Sequence, residues 1–185
     1  MSARDQTKII RAPGRLFLNP TTISGSAPYG GTELGAVRKV AVRLRQRSHD
    51  VIGEEFDEPV EFLKGGFRIV GLACLLRQYD NTVVSTVFPS TSTGASSGDK
   101  VIDDPGTARP ALGSATSNKI LFVPENATAH PSVILYRADA TLEGEVELMH
   151  TIQEERALAV LFKALRDGST PARRGKMGKL ADLAV

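Results

Sequence analysis

The 185-residue sequence predicts a mainly β scaffold, and three observations carry that expectation. Val40, Val42 and Leu44 alternate with polar or small residues at the period of two that puts one strand face on a core and the other in solvent. Residues 67–77 are almost continuously apolar, as a central strand buried on both faces requires. Further apolar runs at 119–123, 132–137, 145–152 and 158–166 are set apart by Pro124, Pro131, Gly144 and Gly168, the punctuation of strands and turns.

Composition bounds the rest. Charged residues make up 24% and hydrophobic residues 41% of the chain, ordinary globular usage, so a single domain over 1–185 is expected. Net charge is only +2, which makes local blocks of charge more informative than their sum. The lone cysteine, Cys74, sits in an apolar run, forms no intrachain disulfide and reads as a buried thiol. No apolar run approaches the ~20 residues of a membrane span, and residues 1–8 are too polar for a secretory signal. A soluble, non-secreted protein is the expectation.

Along the chain, residues 1–35 are broken by Pro13, Pro20, Pro28 and five glycines, and read as an arm with short extended pieces at 8–10 and 15–18. Next comes a change of charge sign. Residues 38–47 carry Arg38, Lys39, Arg43, Arg45 and Arg47 without an acid, whereas 54–61 carry Glu54, Glu55, Asp57, Glu58 and Glu61 without a base. A turn at 48–53 would lay the basic strand beside the acidic one, each opposed pair contributing roughly 0.2–1 kcal/mol and penalising slipped registers. Charge of this kind commonly keeps an exposed ribbon soluble, with ~0–1 kcal/mol per exposed ion pair. It also leaves an edge closed to random pairing but open to a neighbour of opposite sign, and identical subunits bearing both signs can join head to tail into a ring. Candidate subunit contacts are therefore Arg38, Arg43, Arg45, Arg47, Asp57 and Glu61, with Arg173 and Arg174 from the basic C-terminal segment 168–185.

After the strand at 67–77, Asp80 is placed to cap a short helix through Phe88 that Pro89 ends, while β-branched Thr82, Val83, Val84, Thr86 and Val87 favour strand. Residues 90–117, rich in Ser, Thr, Gly, Ala, Asp and Pro, bury too little to offset an ordering cost of roughly 1–2 kcal/mol per residue and read as a long inserted loop. The run 154–166 has helix-forming composition but apolar residues on all sides, so helix and buried strand both fit.

Motifs for chemistry fail on context. Gly94-Ala95-Ser96-Ser97-Gly98 matches a hydrolase nucleophile elbow in letters but lacks its flanking strand and helix. Gly175-Lys176 lacks the spacer of a phosphate loop, and Met177 replaces the hydroxyl that would hold magnesium. Gly30, Gly31 and Gly35 precede a strand rather than a helix, so no dinucleotide site follows. His49, His130 and His150 show no metal-ligand spacing. The adjacent acids Asp103-Asp104 and Glu154-Glu155 read as solvated faces, and the sequon at Asn126 has no role without secretion. No catalytic, cofactor-binding or metal residue is expected, and an enzyme would need a site assembled from residues distant in sequence.

In the order of its features the chain resembles the tail tube proteins of tailed bacteriophages, whose fold is shared with the tube protein of type VI secretion. The likeness spans residues 14–183. It rests on the Gly- and Pro-rich arm, the segment GGTELGAVRKVAVRLRQRSHDVIGEEFDEPVEFLKGGF, the motif YDNTVVSTVFP after a strand, a long loop, and HPSVILYRADATLEGEVELMH with a late strand ending in GKMGKLADL. The resemblance implies an antiparallel β-sandwich or barrel with long hairpins and one flanking short helix, which favours helix at 80–88. It further implies a structural virion protein in the phage tail, with six copies per ring and rings stacked into a tube through which the genome passes. Hairpins at 38–62 and 145–166 would line the lumen, with Glu54, Glu58, Glu145 and Glu147 as lumen-facing residues, because carboxylates repel phosphates and forgo the counterion release that fixes DNA to basic grooves. Implied partners are other copies of the chain, tape measure, tail terminator and baseplate or tail-tip proteins; DNA passes without specific binding, and neither cofactor nor membrane is involved. Two other readings are a single-ring neck or tail-completion protein, and a nucleic-acid-binding β-barrel using Arg43, Arg45, Arg47 and the 173–179 patch. The second is poorly served by 5% aromatics, no Trp and none interleaved in the basic strand.

Overall fold

A computed structural model describes residues 13–23, 27–52, 59–77, 80–88, 91–94, 97–102, 117–128, 130–142, 158–170 and 173–183. The strands are β1 (Gly14–Leu18), β2 (Thr32–Ile52), β3 (Pro59–Leu76), β4 (Thr91–Thr93), β5 (Lys100–Ile102), β6 (Asn118–Pro124), β7 (Ser132–Leu142), β8 (Leu158–Ala164) and β9 (Gly175–Gly178). One helix, α1 (Asn81–Val87), follows β3, and a 3-10 turn (Leu180–Asp182) follows β9. No helix among the described residues is long and apolar enough to cross a membrane.

Six strands close an antiparallel barrel in the order β6-β1-β2-β3-β8-β7, β7 pairing back to β6. The mainly β fold with one short helix is thus as the sequence predicts. Closure explains the apolar density of β6 and β7. Ile120, Phe122, Val133 and Leu135 point into the barrel with Leu16, Leu34, Val37, Leu72, Leu76, Val160 and Phe162. The alternate residues Leu121, Ile134 and Tyr136 face outward into a second apolar layer with Phe17, Tyr29 and Leu183. Phe17 and Tyr29 meet edge to face there, 5.0 Å between ring centroids. The C-terminal segment thereby covers the outside of the barrel. At Gly175 an added Cβ would strike the Ile134 carbonyl oxygen, so a glycine lets β9 lie against β7.

The β-branched stretch after β3 is helical. Asp80 accepts from the backbone N–H groups of Thr82 and Val83, both at 2.9 Å, and Val83 and Val87 enter the barrel interior. Capping and burial override propensity here. Residues 158–164, open between helix and strand in the sequence, form β8 between β3 and β7 with Leu158, Val160, Phe162 and Ala164 buried.

Three expectations are corrected. The basic strand does not lie beside the acidic block: Arg38 is opposite Leu75, Arg43 opposite Gly71 and Arg45 opposite Arg68, while Glu61 is opposite Val51. Interior pairs such as Val37 with Leu76 and Val42 with Leu72 fix the register, so Ile52 comes opposite Pro59 and 48–52 remain strand instead of turn. Second, residues 15–18 belong not to an appended arm but to β1, a barrel wall strand paired on both sides. Third, the region 90–117 is not wholly a loop, because Thr91–Thr93 and Lys100–Ile102 form a small hairpin. Asn81 holds it to α1, donating to the Asp99 carboxylate at 3.2 Å and accepting from the Lys100 backbone at 2.7 Å. The extended piece at 8–10 and the strand at 145–152 lie outside the described residues.

Candidate assembly surface

The two longest strands outrun the barrel. β1 covers β2 only from Thr32 to Val37, and β8 covers β3 only from Gly71 to Leu76. Residues 38–52 and 59–70 therefore continue as a two-stranded ribbon whose outer edges have no ladder partner among the described residues. At ~3.3 Å per residue the β2 half is roughly 50 Å of extended chain. Four register shifts interrupt it, between Arg38 and Ala41, Arg43 and Leu44, Gln46 and Ser48, and Val51 and Ile52. Lys39 takes a left-handed conformation at φ 51° within the first. Bulges increase twist and discourage indiscriminate pairing along an open edge.

The ribbon carries the barrel's interior pattern into solvent. Val42 opposite Leu72 is half-buried, but one step on Leu44, opposite Ile69, is 52% exposed, and Phe67, opposite Gln46, is 68% exposed. On the other face Arg45 stands directly opposite Arg68, a like-charge pair that is unfavourable unless an acid is brought to it.

Two clefts flank the ribbon. One, about 790 Å³, lies between the β2 edge and the β6–β7 turn and is lined by Val40, Val42, Leu44, Phe122, Val133 and Met177, with Arg38, Lys39 and His130 beside them. The other, about 570 Å³, lies between the β3 edge and β9: Phe67, Ile69, Met177 and Leu183 supply apolar surface, and Arg68, Arg166, Arg174 and Lys176 supply charge against the single acid Asp182. Met177, 44% exposed, lines both.

Of the residues expected at subunit contacts, Arg38, Arg43 and Arg45 are exposed on β2. Arg47 lies in β2 and Glu61 in β3, with their side chains outside the described residues; Asp57 and the lumen candidates Glu54, Glu58, Glu145 and Glu147 fall outside them altogether. Arg173 is engaged within the chain. Its guanidinium lies over the Tyr136 ring, 4.3 Å from the centroid, and its Nε donates to Asp167 Oδ2 at 3.3 Å. Asp167 also accepts from the Ser169 hydroxyl and from the backbone N–H groups of Arg173 and Ser169. These bonds, the Ser169 hydroxyl first, hold its carboxyl down at about 2. Arg174 donates to the Ala164 carbonyl at 3.1 Å and still lines the β3–β9 cleft.

Sequence reasoning missed Leu44, Phe67, Arg68, Arg166 and Met177 as surface residues of interest, whereas Lys176 belongs to the basic 173–179 patch it singled out. Leu44 and Phe67 read as core because they continue an interior alternation, and only the length of their strands relative to β1 and β8 exposes them. Among the described residues no group of three or more His, Cys, Asp or Glu is placed to hold a metal ion. Cys74 is buried, and desolvation pushes its thiol up to about 12. No protein-family model and no curated protein matches this sequence.

Proposed function

We propose that the chain is a self-assembling structural subunit of a phage-type tail tube, forming hexameric rings that stack into a hollow conduit for the genome in the virion tail. The observation that carries this reading is the ribbon. Two strands whose outer edges have no ladder partner among the described residues, with an exposed apolar face of Leu44 and Phe67, extend beyond a barrel that has closed on itself. A hairpin of this kind is marginal alone and is completed by strands from another copy. Identical copies related by a rotation that closes give a ring, and stacking of rings gives the tube. On this reading DNA passes without sequence-specific contact, the tape measure, terminator and baseplate or tail-tip proteins meet the ends of the tube, and the subunit is a scaffold rather than an enzyme.

Negative-stain electron microscopy of the purified protein across a concentration series tests it. Hollow rings and stacked tubes are expected, with Leu44→Asp and Phe67→Asp abolishing them while the monomer melts normally. Isolated rings that never stack would support the neck-protein reading, and a monomer at every concentration would overturn the ring.

A further inference from the structure

The cleft between β3 and β9 differs from the open outer edge of β2. β8 lies between β3 and β7 and hands its place beside β7 to β9 after Ala164: Leu165 donates its N–H to the Arg137 carbonyl, Tyr136 to that of Arg174, and β9 takes up the ladder at Leu135. Past that point, among the described residues, β3 has no neighbour on its β8 side and β9 has none on the side away from β7. Two strand edges thus border one slot of about 570 Å³, a volume typical of binding sites. Successive antiparallel pairings β3–β8, β8–β7 and β7–β9 make the two bordering strands antiparallel to each other, so a strand inserted between them runs parallel to one and antiparallel to the other.

The lining selects the chemistry of what enters. Arg68, Arg166 and Lys176 make no side-chain hydrogen bond or ion pair among the described residues, and Arg68 is further opposed by Arg45. Phe67, Ile69, Met177 and Leu183 give an apolar surface beside them. At Gly178, which lines the slot, an added Cβ would meet open space. Unpaired backbone edges match a polypeptide's own amide groups; a nucleic acid has none to offer in ladder register. Apolar surface with a basic rim matches alternation of acid and apolar residues along an extended strand.

We infer that the β3–β9 slot is a docking site for an extended acidic peptide, carboxylates alternating with aliphatic side chains, which adds a strand between the two edges. This goes beyond the tube reading and does not depend on it. The test uses the full chain and a fluorescein-labelled hexapeptide, acetyl-Glu-Val-Glu-Leu-Glu-Val-amide, followed by fluorescence anisotropy at low salt. Saturable binding is expected, weakened about tenfold or more by Arg68→Glu or Arg166→Glu and weakened by added salt. Arg68→Gln and Arg166→Gln, milder for folding, are expected to reduce affinity in the same direction. A peptide N-methylated at alternate amides is expected to lose binding, because it cannot pair with a strand edge. Equal binding of the Lys-for-Glu peptide, unchanged binding by the Arg68 and Arg166 variants, or full binding of the N-methylated peptide would overturn the inference. Displacement by oligothymidylate with indifference to N-methylation would assign the slot to nucleic acid, and loss of peptide binding in step with dimer formation would assign it to a second copy, either outcome sinking the acidic-peptide site. Ring formation in the microscope is read separately, so each proposal can fail alone.

Discussion

At the scale of single residues, two side chains show how a local setting fixes a property that composition leaves open. Asp167 is surrounded by donors, so its carboxyl titrates at about 2 in the fold against about 3.9 in an unfolded chain. A lowered folded value means that its stabilising contribution is present above the unfolded value and is lost as pH falls toward about 2. Urea midpoints measured at pH 6 and at pH 3 should therefore differ more for the wild type than for Asp167→Asn, which should also melt lower at neutral pH. Cys74 behaves oppositely. Burial raises its thiol from 9.0 to about 12, so the unfolded chain releases that proton first and stability declines as pH climbs through this window. An aromatic disulfide reagent at pH 8 should leave Cys74 untouched in the native protein and titrate one thiol after unfolding; rapid native reaction would contradict its placement. The burial of Cys74 was legible from its apolar run; the Asp167 setting was not, since its donors Ser169 and Arg173 are gathered between β8 and β9.

At the scale of elements, legibility followed periodicity. The alternation at 40–44, the apolar run of β3 and the punctuation around β6 and β7 identified strands because each has a face that the barrel buries. α1 depended on the cap: Asp80→Ala should cost about 1 kcal/mol in chemical denaturation, with loss of helical signal, and an unchanged midpoint would deny the cap its role. β4 and β5 escaped notice because strands of three residues carry no period, while β9 falls in the GKMGKLADL segment where the resemblance places the end of a late strand. The hairpin β2–β3 was recognised, but its turn was misplaced, since charge complementarity suggested one register and interior packing enforced another. That correction sharpens a prediction. Arg43 stands opposite Gly71 and Arg45 opposite Arg68 on the exposed ribbon, and the double reversal Arg43→Glu with Arg45→Glu should impair assembly far more than the melting temperature. Sedimentation and thermal scans on the same preparation separate the two effects; intact assembly would remove the basic strand from the interface.

For the whole molecule, the barrel provides stability and the ribbon is the surface left over. Phe162→Ala, deleting a ring 1% exposed at the centre of the interior, should cost about 3–5 kcal/mol and lower the urea midpoint sharply, whereas Leu44→Asp should leave it nearly unchanged. The opposite ranking would mean that the apolar interior has been misassigned. The fold class was readable from sequence because it is a property of patterns; the clefts were not, because each joins strands distant along the chain and exists only where one strand stops short of another. The pairing of β1 with β6 has a kinetic consequence. Gly14 meets Pro124 and Leu18 meets Ile120, and in the same barrel β7 pairs with β6 and β8. During synthesis the first strand must wait about a hundred residues for its second neighbour, which places the fold among slow, high-contact-order topologies. β9, which borders the slot, emerges from the ribosome after every barrel strand. A nascent chain can therefore display its ribbon for seconds before it owns a complete recognition surface, so the order of synthesis delays docking at that slot until the barrel strands are all available to close.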